Sequence, residues 1–203
     1  MRLMRAIAIA FSTYSRIPMP RVDWSEENQR YSMCFFPLVG LAVGLALWLW
    51  LWLCDLWALG AFARGALGAA LPLLVSGGIH MDGFMDTLDA MASWQPREKR
   101  LEILKDVHTG AFAVMGCGAY LLAMAGILSE ARAGQGLAIA ACFVLSRALS
   151  ALALAAAGLC AAYYFFFSRK YFGGTTGDIA GWFLQISELV TLAVTVLIGG
   201  RLL

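Results

Sequence analysis

The chain has 203 residues, of which 61% are apolar, whereas only 15 Lys and Arg and 13 Asp and Glu carry a formal charge. This low charged fraction excludes most water-soluble folds. It also excludes disordered, collagen-like and nucleic-acid-coating chains, which need many more polar residues. A net charge of +2 identifies no partner, because in membrane proteins the placement of Lys and Arg matters more than their sum. We therefore predict one compact, all-α membrane domain over residues 1–203.

Long apolar runs predict the membrane-spanning helices. Met33 to Cys54 are 22 residues without a charge, which as a helix would reach about 33 Å and match the hydrocarbon core. The residues before this span do not form a secretory signal, because their apolar stretch is short and is followed at once by Arg16 and two prolines. They predict a segment at the membrane interface. Further spans are predicted at residues 65–79, 110–128 and 179–200.

The stretch from Ala133 to Phe167 is harder to divide. Its 35 residues, interrupted only by Arg147, would form a helix of about 52 Å and overshoot the bilayer. Residues 133–146 are too few to cross comfortably, whereas residues 148–167 would cross cleanly. We therefore favour a polytopic integral membrane helical bundle of five transmembrane helices plus the N-terminal interfacial segment, with six crossings as the alternative.

The basic residues predict the orientation of the bundle. With either five or six crossings, eleven of the 15 Lys and Arg side chains fall on the side that holds the N-terminus, and four fall on the other side. Because Lys and Arg accumulate in cytoplasmic segments, we expect a multi-pass protein of the cell membrane with a cytoplasmic N-terminus.

An acidic segment is the strongest chemical signal. Six of the 13 carboxylates lie within the 25 residues from Asp82 to Asp106. On a helix, Asp82, Asp86 and Asp89 would share one face within an arc of about 60° and would repel one another, and a bound cation would remove that repulsion. Carboxylate oxygens suit Mg²⁺, which usually binds together with substrate phosphates. The sequence therefore predicts a magnesium site and phosphoryl transfer.

Two polar segments at the starts of predicted spans could bind phosphate. Residues 105–110 open the third span, where free backbone N–H groups and the positive helix end attract anions. Lys105 and His108 could offset negative charge there, although a Lys-Asp pair at a helix start is equally typical of a cap. Residues 173–178 have the glycines, hydroxyls and terminal acid of an anion-binding or metal-binding turn.

Two single residues carry further expectations. Glu188 lies ten residues beyond Asp178, where an unpaired charge is costly, so it should face the bundle interior and pair, with Arg147 as the candidate partner. Gly83 removes a side chain beside the acidic residues and would let a bulky phosphorylated ligand approach the backbone. Close packing of membrane helices explains this glycine equally well.

Five motifs now occur together. They are Ser-Arg-Ile-Pro-Met-Pro at 15–20, Phe-Pro-Leu-Val-Gly at 36–40, Gly-Gly-Ile-His-Met-Asp-Gly-Phe-Met-Asp-Thr-Leu-Asp at 77–89, Leu-Glu-Ile-Leu-Lys-Asp at 101–106 and Gly-Gly-Thr-Thr-Gly-Asp at 173–178. From about residue 11 to residue 189, the chain resembles the cobalamin synthase family, the adenosylcobinamide-GDP ribazoletransferases. The resemblance implies an integral membrane enzyme that depends on Mg²⁺. It would join α-ribazole, or its phosphate, to adenosylcobinamide-GDP and release GMP. Membrane lipid and a second copy of the chain are the other partners that we consider, and nucleic acid is not expected.

The resemblance also suggests roles for single residues. Asp82, Asp86 and Asp89 would hold Mg²⁺. Lys105 and His108 would offset charge on the leaving GMP, and His80 and Asp106 are the candidates for the general base. The residues expected to bind substrate are Arg16, Gly83, Arg169, Lys170, Gly174, Thr176 and Asp178.

The chain departs from the family pattern in one place. Only 25 residues separate Arg147 from Gly173, where the family has several dozen that include a basic loop. The sequence therefore predicts a short form that lacks phosphate-binding cations, with Arg169 and Lys170 as the nearest substitutes.

Three alternatives remain open at this stage. A CDP-alcohol phosphotransferase uses similar aspartates, but at a different spacing and with an Ala-Arg pair that is missing here. A cation-coupled transporter would place Asp82, Arg147 and Glu188 along a path through the bilayer. An inactive scaffold descended from the enzyme would account for the shortened region.

Overall fold

The computed structural model describes residues 2–29, 31–156, 162–173, 176–193 and 195–196. Within these ranges the secondary structure is entirely helical, as predicted, with short 3₁₀ helices at Ser32–Phe35 and Ala133–Gln135. The α-helices in the described ranges are α1 (Arg2–Tyr14), α2 (Glu26–Gln29), α3 (Phe36–Leu56), α4 (Ala61–Ser76), α5 (Ile79–Ala92), α6 (Arg97–Ile103), α7 (Ala111–Glu130), α8 (Gly136–Ala156), α9 (Ala162–Phe172) and α10 (Gly177–Ala193).

Several of these helices suit a membrane. In the described ranges, three segments are long and apolar enough to cross it: Ser32–Leu56, Ala111–Glu130 and Ala133–Ser150. A fourth crossing results if α4 and α5, which meet at an angle of 99°, together form one broken span. The predicted last span begins with α10 and continues into residues outside the described ranges. The protein is thus a helical, polytopic membrane protein.

The predicted division of the chain at Arg147 is wrong. α8 runs through this position without a break, from Gly136 to Ala156, so residues 133–146 belong to a helix of spanning length and not to a surface segment. The guanidinium of Arg147 is buried and pairs with Glu188 of α10. Because its charge is neutralised inside the protein, the helix can continue through an apolar region.

Two consecutive glycines separate α4 from α5. Gly77 and Gly78 have φ angles of +70° and +82°, in the left-handed region that side chains with a Cβ disfavour. They end the predicted second span at Ser76 and turn the chain by 99° into α5. The acidic segment therefore begins as a 14-residue helix, which places the aspartates on a rigid element.

Small residues bring the long helices together. On α3, a Cβ added at Gly44 would lie 2.4 Å from the Cα of Ala140 on α8. On α4, a Cβ added at Gly65 would lie 2.2 Å from the carbonyl oxygen of Ala125 on α7. Such close approach of backbones is the usual way in which membrane helices gain packing energy, because lipid offers no hydrophobic driving force between them.

The same device joins α5 to α10. A Cβ at Gly83 would lie 2.8 Å from the Cα of Asp178, and one at Gly181 would lie 3.1 Å from the carbonyl oxygen of His80. The two helices therefore touch backbone to backbone where α10 begins. This crossing sets the relative position of the acidic residues on the two helices.

Candidate active site

Two carboxylates of α5 form the centre of the candidate site. Asp82 is exposed and lies in the first turn of α5, where the helix dipole stabilises a negative charge. Asp86 follows one turn later and is partly buried. The spacing of four residues places both on one face, as the sequence predicts.

A third carboxylate comes from α10. Asp178 is the second residue of that helix, and the crossing at Gly83 brings its backbone against α5. The charge of Asp86 is opposed by those of Asp82, Asp178 and Asp89, and Asp178 in turn feels the charge of Asp82. Four acids on two helices are thus near enough for their charges to repel one another, and a bound cation would relieve that repulsion.

Asp89 has a structural role. Its two carboxylate oxygens accept hydrogen bonds from the backbone N–H groups of Gly110, at 2.5 Å, and Ala113, at 2.8 Å. It therefore caps the N-terminus of α7, where four N–H groups have no partner within the helix. A Cβ at Gly110 would lie 2.6 Å from one of these oxygens, so the glycine allows the carboxylate to approach this closely. Asp89, which the sequence predicts as a metal ligand, therefore acts as a helix cap in the structure.

The donor set fits some kinds of cation site better than others. In the parts of the chain that the structure describes, no group of three or more His, Cys, Asp or Glu side chains converges closely enough to hold a metal as a cage. Mg²⁺ seldom uses such a cage, since it keeps several waters and binds through one or two carboxylates together with phosphate oxygens. One or two carboxylates among Asp82, Asp86 and Asp178 would fit that mode.

A cavity lies beside Asp82. It has a volume of about 610 Å³, within the usual range for small-molecule sites. Its lining includes two charged residues, Arg16 and Asp82, and the two glycines Gly77 and Gly78. The backbone N–H of Arg16 donates to the carbonyl of Val75 at 2.8 Å and fixes this segment over the turn. The rest of the lining is apolar: Leu73, Leu74, Ile79 and Met81.

The glycines of the predicted site act in packing. The side chain of Arg16 covers Gly77, where an added Cβ would lie 2.5 Å from the arginine Nε. The space beside Gly83 is filled by the backbone of Asp178 and is therefore not open to a ligand. The expectation that Gly83 admits substrate to the backbone is not what the structure shows, because helix α10 takes that place.

Lys105, Asp106 and His108 lie in the exposed connection between α6 and α7. The Asp106 carboxylate accepts a hydrogen bond from the backbone N–H of His108 at 3.0 Å and contacts its Nδ1 at 2.7 Å. These hydrogen bonds hold the pKa of the Asp106 carboxyl below its usual value. Because Asp89 binds Gly110 and Ala113, this connection is anchored next to α5.

His80 lies in the interior and not beside the carboxylates. It precedes Asp82 by two residues, which on a helix places the two side chains on nearly opposite faces. The imidazole is 6% exposed and packs between Tyr14, with ring centroids 6.0 Å apart, and Phe36, at 5.4 Å. The His80 imidazole is therefore less accessible to a substrate hydroxyl than the exposed Asp106 carboxylate.

The glycine turn starts α10. The hydroxyl of Thr176 accepts a hydrogen bond from the backbone N–H of Ile179 at 3.3 Å and caps the helix. Gly174 lies outside the described residues. Arg169 and Lys170 are exposed in the last turn of α9, where Lys170 lies 5.2 Å from the centroid of the Tyr171 ring.

Arg97 is a residue that sequence reasoning missed. Its Nε donates to the carbonyl of Phe172 at 3.0 Å, and its guanidinium lies against Gly173, immediately before the turn. In the sequence it belongs to a charged run with Glu98 and Lys99, which indicates only a solvated surface. No sequence signal distinguishes it from its neighbours, because the contact joins residues 75 positions apart.

The buried ion pair between Arg147 and Glu188 confirms a prediction. Both side chains are 1% exposed, and the Nη1 of Arg147 donates to the Oε1 of Glu188. The sequence indicates this pairing because an isolated charge at that depth would be too costly.

Comparison with known proteins places the chain in a family. The model of the cobalamin-5-phosphate synthase family matches residues 6–158 and 136–196, two segments that overlap. An adenosylcobinamide-GDP ribazoletransferase of Lachnoclostridium phytofermentans is 37% identical over 97% of this chain and 95% of its own length. Proteins of the same name from Desulfitobacterium hafniense and Clostridium botulinum are 40% and 36% identical over 59% and 56% of this chain. No solved structure matches the chain.

The alignments also bear on the shortened region. The Lachnoclostridium alignment spans 248 positions, whereas the chain has 203 residues, so at least 45 positions have no counterpart here. The other two matches cover only 47% and 45% of those relatives. The Lachnoclostridium alignment agrees with the predicted short form. From the family model and the relative matched over nearly its full length, the chain belongs to the cobalamin-5-phosphate synthase family.

Proposed function

We propose that this protein is an adenosylcobinamide-GDP ribazoletransferase whose active site lies at the start of α5, between Arg16 and the crossing of α5 with α10. The observation that carries this proposal is a cavity lined by Arg16 and Asp82, next to the crossing that brings Asp178 of α10 against α5. Phosphoryl transfer needs both elements: a site for the metal and a cation for the phosphate oxygens.

One or two carboxylates among Asp82, Asp86 and Asp178 would hold Mg²⁺ together with phosphate oxygens of the substrate, and Asp89 would keep α5 aligned to α7. When bound, Mg²⁺ would offset negative charge on the phosphoryl oxygens and on the leaving group. Arg16 would hold a phosphate of the substrate in the adjoining cavity, assisted by the backbone N–H groups at the start of α5.

The proposed reaction is an exchange at one phosphorus atom. The ribazole hydroxyl oxygen forms a bond to the phosphorus that carries the cobinamide, and the phosphoanhydride bond breaks with its electron pair leaving on GMP. The hydroxyl proton passes to a base. Asp106 is the better candidate because it is exposed, whereas His80 is enclosed by aromatic rings. Lys105 and His108, on the same connection, would offset charge on GMP.

The proposal also covers the surroundings of the site. The segments that carry the acidic residues and the N-terminus would face the cytoplasm, because they hold most of the Lys and Arg side chains. The contact of Arg97 with Phe172 supports this arrangement, because it places the α6 end and the turn before α10 on the same side. The short chain would obtain its phosphate-binding cations from Arg16 and Arg97, with Arg169 and Lys170 nearby.

Purified protein in detergent or nanodiscs tests the proposal directly. It is incubated with adenosylcobinamide-GDP and Mg²⁺, and with either α-ribazole or its 5′-phosphate, and the products are separated by chromatography and weighed by mass spectrometry. We expect the joined corrinoid and GMP in equal amounts, with no product in EDTA and recovery when Mg²⁺ is restored. Absence of both products in folded protein, under all these conditions, would overturn the proposal.

A further inference from the structure

We propose that the buried pair Arg147–Glu188 acts as a positioning device, which sets α10 against α5 and so fixes the position of Asp178 relative to Asp82 and Asp86. The inference rests on the proposed function and goes beyond the acidic site itself. It concerns residues of the bundle interior that touch neither substrate nor metal.

The pair lies at a junction of helices. Arg147 belongs to α8 and Glu188 to α10, and the arginine is the largest fully buried side chain among the described residues. From α3, the Phe36 ring lies 5.9 Å from the guanidinium carbon, and Gly40 leaves room for the arginine stem, since a Cβ there would lie 2.8 Å from its Cδ. An arginine at this place thus requires a glycine opposite.

The remaining neighbours come from the helices that flank the site. The Phe36 ring beside the guanidinium also packs against the imidazole of His80, in the first turn of α5, with ring centroids 5.4 Å apart. The hydroxyl of Tyr120, on α7, lies within electrostatic range of both members of the pair. Asp82 follows His80 by two residues, so the interior and the acidic face are opposite sides of the same helical turn. The pair therefore lies where side chains of α5, α7, α8 and α10 come close to one another.

This junction is not arranged for stability alone. Within the described ranges, four buried polar atoms around the pair have no hydrogen-bond partner: the Nε of Arg147, the Oε2 of Glu188, the Nε2 of His80 and the Tyr120 hydroxyl. Buried groups left without partners cost free energy, and apolar side chains of similar volume are often as stable as a buried pair. A directional pair does provide something that apolar contacts lack: it fixes the rotation and the register of α10 relative to α8.

Helix α10 connects the buried pair to the acidic site. Glu188 is ten residues from Asp178, about 15 Å along the helix, and between them Gly181 touches the backbone of His80. Because α10 is one continuous helix, a shift or rotation of it at Glu188 would be transmitted to Asp178 at the Gly83 crossing. A displacement of about 1 Å near reacting groups can cost on the order of a hundredfold in rate.

The test removes the pair without leaving an unpaired buried charge. In Arg147→Met with Glu188→Leu, we expect thermal unfolding within a few degrees of the parent. We expect kcat to fall about tenfold or more and Mn²⁺ binding, measured by electron paramagnetic resonance, to weaken. A matched control is Arg64→Met with Asp55→Asn. This second buried-arginine pair, at 2.8 Å, lies at the other end of α3, and its loss should leave kcat and Mn²⁺ binding unchanged.

The outcomes are distinct. A double variant that folds, binds Mn²⁺ and turns over like the parent would overturn the inference. If the double variant does not fold, Arg147→Lys decides, because it keeps the charge but loses the guanidinium fork. A reduced kcat with parental stability supports positioning, and a parental kcat overturns it. If the parent itself makes no product, the proposed function fails, and the Mn²⁺ comparison still tests the pair.

Discussion

Replacing Gly83 by alanine tests whether the crossing of α5 and α10 assembles the site. The added Cβ would lie 2.8 Å from the Cα of Asp178 and 2.9 Å from its carbonyl oxygen, whereas ordinary contact begins at 3.4 Å. Both neighbours are backbone atoms that no rotamer change can move. The helices must therefore separate by about 0.5 Å, given how little a packed interior yields.

This separation sets the expected magnitudes. Overpacking costs about 1–3 kcal/mol, and replacing a helical glycine by alanine returns about 1 kcal/mol, so the protein should lose at most about 2 kcal/mol of stability. A shift of half an ångström in Asp178 should lower kcat about tenfold. Transfer of ribazole to adenosylcobinamide-GDP is measured at saturating Mg²⁺, and unfolding is followed by fluorescence.

Two other glycines serve as controls. In Gly65→Ala the Cβ would lie 2.2 Å from a carbonyl on α7, which overpacks a crossing far from the site, so stability should fall while kcat stays. In Gly118→Ala nothing lies within 4 Å, and neither quantity should change. A folded Gly83→Ala variant with parental kcat would refute the reasoning, as would an equal loss of kcat in Gly65→Ala.

Three further substitutions separate the roles of individual residues. Asp86→Asn should abolish transfer while the protein unfolds at the parental temperature or above, because the repulsion from its three acidic neighbours is relieved; full Mg²⁺-dependent transfer would contradict this. Asp89→Ala should lower the free energy of unfolding by about 1–2 kcal/mol, since α7 loses its cap, and unchanged stability in a denaturation curve would refute it. Arg97→Ala should lower kcat about tenfold because the anchor at Phe172 is lost, with the neighbouring Lys99→Ala as the control; equal rates in both variants would remove Arg97 from the site.

Much of this protein follows from its sequence alone. The apolar runs at 33–54 and 110–128 predict helices that the structure confirms, because in a bilayer a long uncharged run has few alternatives to a spanning helix. The same cost of exposed charge in lipid indicates that Glu188 must pair inside the bundle, and Arg147 is its partner. The motifs around Asp82 were sufficient to indicate the family.

Only the tertiary structure shows the contacts between residues that are far apart in the chain. A charge at position 147 resembles the end of a helix until it is known that Glu188, 41 residues later, neutralises it. Asp89 resembles a third metal ligand until Gly110 and Ala113 reach it from α7. Asp178 joins the acids of α5 only because a glycine lets two backbones touch. Periodicity reports which face of a helix a side chain occupies, whereas the partner on the opposite helix depends on packing that no local pattern contains.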